Sequence, residues 1–181
     1  MQPLVCSGVR NPVSLVRGDR LNFFARVRVR SLPTNTNADR QIIVMAKKIY
    51  QNTVKVALQK EGWLITNDPL TLTAGKRDVF VDLAAERILM AQRQAEKIAI
   101  EIKSFNSPSP VKDLEQALGQ YILYANLLSR SEPDRLLYLA IREETYTDFF
   151  QEEMAQIVLT DNRIKLIVFN AQKEEIVQWK H

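Results

Sequence analysis

The stretch EKIAIEIKSF at 96–105 ends an apolar run with a carboxylate and an amine, Glu101 and Lys103, two positions apart. In a strand, alternate side chains point to opposite faces. Ile98, Ile100 and Ile102 then share one face, and Ala99, Glu101 and Lys103 share the other. An unpaired charge inside a sheet is costly, so the pair needs either a partner or a task. One task is metal-dependent cleavage of a phosphodiester. Two carboxylates offer hard oxygens to Mg²⁺, and a lysine orients or deprotonates the attacking water and offsets the charge that develops on the phosphorane. RDVFVD at 77–82 supplies further acids, Asp78 and Asp82, on one face of a strand. A neighbouring strand can bring Asp82 or Asp78 within coordination range. The plainer account is that Glu101 and Lys103 neutralise each other as a buried pair.

Other chemistries lack their central residue. Cys6 is the only cysteine and His181 the only histidine, so Ser/His/Asp and Cys/His nucleophilic catalysis and the His/Cys zinc sites are excluded. Five scattered glycines form neither GxGxxG nor a Walker A loop. The chain has 181 residues, 46% of them apolar and 25% charged, which suits one domain with a proper core. No apolar run reaches the roughly 18 residues of a membrane span, and the start lacks the order of a secretory signal. A soluble, cytoplasmic protein with no membrane contact is expected. Residues 1–44 hold seven arginines against Asp19 and Asp39, a net of +5 within a whole-chain total of +4, so residues 45–181 carry about −1. Global basicity therefore says nothing about nucleic acid binding by the main region.

The elements that must position the acids follow from patterning. Residues 1–44 read as a basic, poorly ordered extension, and a patterned domain runs over 45–181. Tyr50, Val54, Ala57 and Leu58 predict an amphipathic helix ending at Gly62. WLITNDPLTLT predicts a strand running into the turn signal Asn67-Asp68-Pro69. Residues 83–96 carry helix propensity that pattern alone does not overrule. After the strand 97–103, Ser109 caps a long helix with Pro110 and Asp113 in its first turn, and Gln116, Gln120 and Tyr124 follow at steps of four. DRLLYLAI, TYTDFFQEEMAQIVLTDN, IKLIVFN and EEIVQWK read as strand, mostly helix, strand and edge strand. This alternation argues an α/β sandwich with a mixed sheet.

Six blocks in this order, ALQKEGWLITNDPL, RDVFVDLAAERILMA, KIAIEIKSF, DLEQALGQYILY, LYLAI and IKLIVFN with EEIVQW, resemble the XisH-like family of fdxN element excision controlling factors found in cyanobacteria. The resemblance covers 45–179. It implies a restriction-endonuclease-like α/β/α sandwich around a mixed central sheet, the PD-(D/E)xK architecture. It also implies that 83–90 is strand, joined by a hairpin near RQAE to 97–103. By the same resemblance Asp82 and Glu101 are metal ligands for Mg²⁺ or Mn²⁺, with Asp78 an alternative ligand, Lys103 is the catalytic lysine, and Gln116 and Gln120 are supporting groups near the phosphate. Gln51 and Asn52 stand where the family tends to show a histidine and an aspartate.

The function implied is control of DNA element excision by a separate recombinase complex, alongside a XisI-like companion protein, with DNA as the ligand and homo-oligomerisation left open. Three readings compete: a metal-dependent nuclease, a non-catalytic DNA- or protein-binding accessory factor on the same fold, and a toxin-like or regulatory partner held by the XisI-like protein.

Overall fold

Two strands read from the sequence prove to be four. In the computed structural model, which describes residues 36–89 and 94–181, the chain turns at Pro69, where the sequence signals a turn, and bends at Asp82, where it signals none. WLITNDPLTLT divides into β1 (Leu64–Asn67) and β2 (Leu70–Ala74). RDVFVDLAAERIL divides into β3 (Arg77–Val81) and β4 (Leu83–Leu89). Proline has no N–H to give a ladder, which accounts for the first break. At the second the chain bends, and β2 and β3 leave the main sheet as a separate antiparallel hairpin.

The main sheet has the order β1-β4-β5-β6-β7-β8, with β5 (Gln94–Lys103), β6 (Arg135–Arg142), β7 (Leu166–Asn170) and β8 (Glu175–Lys180). β5, β6 and β7 are mutually parallel, and the remaining neighbours are antiparallel. β4 and β5 pair from Leu83↔Ile100 to Leu89↔Gln94, so tertiary pairing overrides the helix propensity of this segment. The hairpin turn itself, at 90–93, lies outside the described residues. β8 is an edge strand, as its sequence predicts.

Helix α1 (Thr36–Lys60) begins well upstream of the amphipathic stretch and ends where Gly62 adopts φ +83, with the Trp63 N–H donating to the Leu58 carbonyl at 3.0 Å. The basic extension expected over 1–44 lies outside the described residues up to position 35. Val54 and Leu58 of α1 pack with Ile98, Ile100 and Ile102 on one face of the sheet. The other face carries α2 (Pro110–Ser131), capped by Ser109 with Pro110 in its first turn. Leu114, Ala117, Tyr121 and Leu128 of α2 meet Ala99, Leu139 and Ile141. The β2–β3 hairpin adds Leu70, Leu72 and Val81 to that layer. After β6, a short turn α3 (Glu143–Thr145) runs into a π-helical turn, Tyr146–Phe150, and then α4 (Glu153–Asp161). The result is a mixed α/β architecture with helices on both faces of a mixed six-stranded sheet.

Candidate active site

The carboxyl ends of parallel strands are where open α/β sheets form ligand crevices, and Lys103 stands at the end of β5. Strand alternation turns Ala99, Glu101 and Lys103 towards α2. Glu101 is 1% exposed, and its Oε1 lies 3.1 Å from Lys103 Nζ. Lys103 Nζ also donates to Gln120 Oε1, and Gln120 Nε2 donates to the Tyr124 hydroxyl at 3.3 Å. The steps of four along α2 thus become a polar relay beside the lysine.

Asp82 reaches the same place from β4. The β4–β5 ladder stops at Leu83↔Ile100, and one further step of register brings Asp82 beside Glu101. There the main chain no longer pairs, and the Asp82 side chain substitutes for it: Oδ2 accepts the Ile102 N–H at 2.9 Å. Asp82 therefore grips β5 between Glu101 and Lys103. Gln51 of α1 holds the bend from the opposite side, donating from Nε2 to the Asp82 carbonyl at 3.2 Å and to Asp68 Oδ1. Lys55, one helical turn on, pairs with the other oxygen of Asp68. Nothing in the spacing of α1 shows that Gln51 is aimed at this bend, since both Gln51 and Asp68 become neighbours of Asp82 only through the tertiary fold.

A cleft of about 580 Å³ opens onto this group, lined among others by Tyr50, Lys103, Asn106, Asp113, Gln116 and Gln120. Lys103 faces the cleft, and the two acids lie behind it. Gln116 lines the cleft from an exposed position on α2, while Gln120 touches the lysine directly. Asp78 does not join the group. It is exposed on the hairpin, where its Oδ1 accepts from Thr73 Oγ1 at 2.7 Å, and four residues of extended chain, about 13 Å, separate it from Asp82. Arg142, at the end of β6, steadies the cleft wall by donating from Nη2 to the Ser104 carbonyl at 3.0 Å and to Asn106 Oδ1 at 2.9 Å.

Among the described residues no cluster of three or more His, Cys, Asp or Glu side chains forms a metal site. Register places Asp82 and Glu101 at neighbouring positions of β4 and β5, and Mg²⁺ is commonly held by one or two carboxylates together with waters and substrate phosphate. The donor chemistry fits such an ion. No described helix is long and apolar enough to cross a membrane.

The XisH protein family matches residues 44–177. A crystal structure of an XisH family protein from Nostoc punctiforme PCC 73102 is 40% identical, with a TM-score of 0.67, covering 74% of this chain and 99% of that one. A crystal structure of an fdxN element excision controlling factor protein from Anabaena variabilis is likewise 40% identical, with a TM-score of 0.68 and the same coverage. Among curated proteins no match is found. The family match over most of the chain, together with 40% identity to two solved structures covered almost end to end, leads to one conclusion: this chain belongs to the XisH family.

Proposed function

We propose that this protein controls excision of a DNA element, and does so with a metal-dependent phosphodiester-cleaving centre formed by Asp82, Glu101 and Lys103 on a restriction-endonuclease-like sandwich. DNA is the substrate, a XisI-like companion and a recombinase complex are the partners, and Mg²⁺ or Mn²⁺ is the ion. The observation that carries the reading is the grip of Asp82 on the Ile102 N–H, which aligns it with Glu101 behind a lysine that lines a cleft. Asp82 and Glu101 would hold the ion, which when bound supplies Lewis acidity and an activated water. Lys103, steadied by Gln120, stands where negative charge develops as water bonds to phosphorus and the bridging P–O bond breaks. Gln116 offers a side-chain amide to the phosphate from the cleft wall.

Purified protein, with and without the companion, should cut DNA in Mg²⁺ or Mn²⁺, and Asp82→Asn or Glu101→Gln should abolish cleavage with the fold intact. Absence of cleavage of any DNA or RNA under either ion would remove the catalytic reading. A second reading has its own support. Glu101 is almost wholly buried and already pairs with Lys103, which suits a non-catalytic accessory factor whose polar pair is architectural. That reading predicts that Glu101→Gln, if folded, retains excision control in cells.

A further inference from the structure

A cleft of about 520 Å³ lies towards the β8 edge of the sheet, three strands across from Lys103. Arg163, Lys165 and Lys180 line it together with Leu159, Thr160 and Ile164, and no Asp or Glu side chain is among its lining residues. Among the described residues no carboxylate pairs with any of these three cations. The Lys103 cleft, by contrast, includes Asp113 and backs onto two buried acids.

The cations are mounted on ordered supports. The Tyr121 hydroxyl donates to the Leu137 carbonyl at 3.0 Å and accepts the Lys165 N–H at 3.1 Å. Lys180 Nζ sits 4.8 Å from the centroid of the Tyr146 ring. Arg163 has φ +50, with its N–H on the Thr160 carbonyl at 3.2 Å and the Ile164 N–H on the Leu159 carbonyl at 2.9 Å. This left-handed position after a helix usually belongs to glycine or asparagine, and a bulkier residue there costs about 1–2 kcal/mol. The dipole of α4 would favour one cation near its end, but it does not account for Lys180, which comes from β8.

We infer that this cleft grips the phosphodiester backbone of nucleic acid, with Arg163, Lys165 and Lys180 as the phosphate contacts. The choice of polymer rests on the excision-control reading. The charge argument supports it: residues 45–181 are slightly acidic overall, so a polyanion needs a local cationic foothold, and this cleft supplies one. Three strand spacings across the sheet and two residues along it separate Lys180 from Lys103, about 16 Å. Substitutions in the cleft therefore leave the candidate centre untouched.

The test is duplex DNA binding by the full chain, followed by fluorescence anisotropy in EDTA over a salt series. Each lost phosphate contact lowers the slope of log affinity against log salt by about 0.9. Arg163→Gln, Lys165→Gln and Lys180→Gln combined should lower it by about 2.7, so that the loss of affinity between about 50 and 200 mM salt shrinks roughly 40-fold. Lys48→Gln, Lys76→Gln and Lys112→Gln, an equal charge change at exposed sites, should leave most of the slope in place. Arg163→Gly should lower it by about 0.9 without loss of stability, because glycine suits that backbone angle. Equal slopes for wild type and the cleft variant, an equal effect of the control variant, or no duplex binding at all would overturn the inference. So would saturable binding of inorganic phosphate at fixed ionic strength with an unchanged DNA slope, which would mark a pocket for a free anion. Protein that binds duplex through this cleft but cuts none loses the cleavage reading and keeps this one.

Discussion

The two faces of β5 are buried to nearly the same degree and are stabilised in different ways. On one, Ile98, Ile100 and Ile102 are no more than 3% exposed and pack with Val54 and Leu58. On the other, Ala99 and Glu101 are at most 1% exposed, and the Glu101 carboxylate faces the Lys103 ammonium. Dispersion and water release stabilise the first face roughly in proportion to apolar area. The second depends on particular partners, because a buried charge carries a large desolvation penalty that only a well-placed counter-charge and hydrogen bonds offset. Equal burial therefore conceals unequal tolerance to change.

The sharpest way to separate the faces is a pair of substitutions. Lys103→Met removes the ammonium that balances Glu101 and should destabilise the fold by about 3–5 kcal/mol in urea denaturation. Adding Glu101→Leu should recover most of that loss, since an apolar pair replaces the ionic one. A double variant as unstable as Lys103→Met alone would mean that the pair does not hold this face. Ile100→Ala, at a fully buried position, should cost about 3 kcal/mol with no equivalent rescue.

Tyr138 probes the isoleucine face through pH. It pairs in register with Ile100, and burial foremost, with the nearby charges of Glu96 and Tyr121, pushes its phenol up to about 12. The folded state thus keeps the proton that the unfolded chain releases near 10. The stabilisation is whole below pH 10 and is lost as pH rises towards 12. Unfolding free energies at pH 8 and 12 should diverge between wild type and Tyr138→Phe by on the order of 2 kcal/mol, and identical pH profiles would refute this. At the smallest scale, Lys55→Ala removes a pairing with Asp68 between side chains about a third exposed. Solvent screening should keep its effect on the melting transition below about 1 kcal/mol.

Much of this was legible in one dimension. The alternation of β5, the Ser109 cap with Pro110 behind it and the edge position of β8 are all local patterns that the structure repeats. Period-two counting also put Asp78 and Asp82 on one face, but it assumed an unbroken strand. The bend at Asp82 sends Asp78 into the hairpin and leaves Asp82 hydrogen-bonded to β5. The basic cleft was not legible either, because Arg163, Lys165 and Lys180 come from two separated segments and show no shared spacing.

By itself, then, the amino-acid order determined which residue types were available and which neighbours along a strand or helix share a face, since covalent geometry sets those periods within a few residues. Only the tertiary structure decided that Asp82 takes over a ladder hydrogen bond at Ile102, that Gln51 braces its carbonyl and that Glu101 meets Lys103 out of water. Strand pairing and desolvation act through space between segments far apart in the chain, and no local period encodes them.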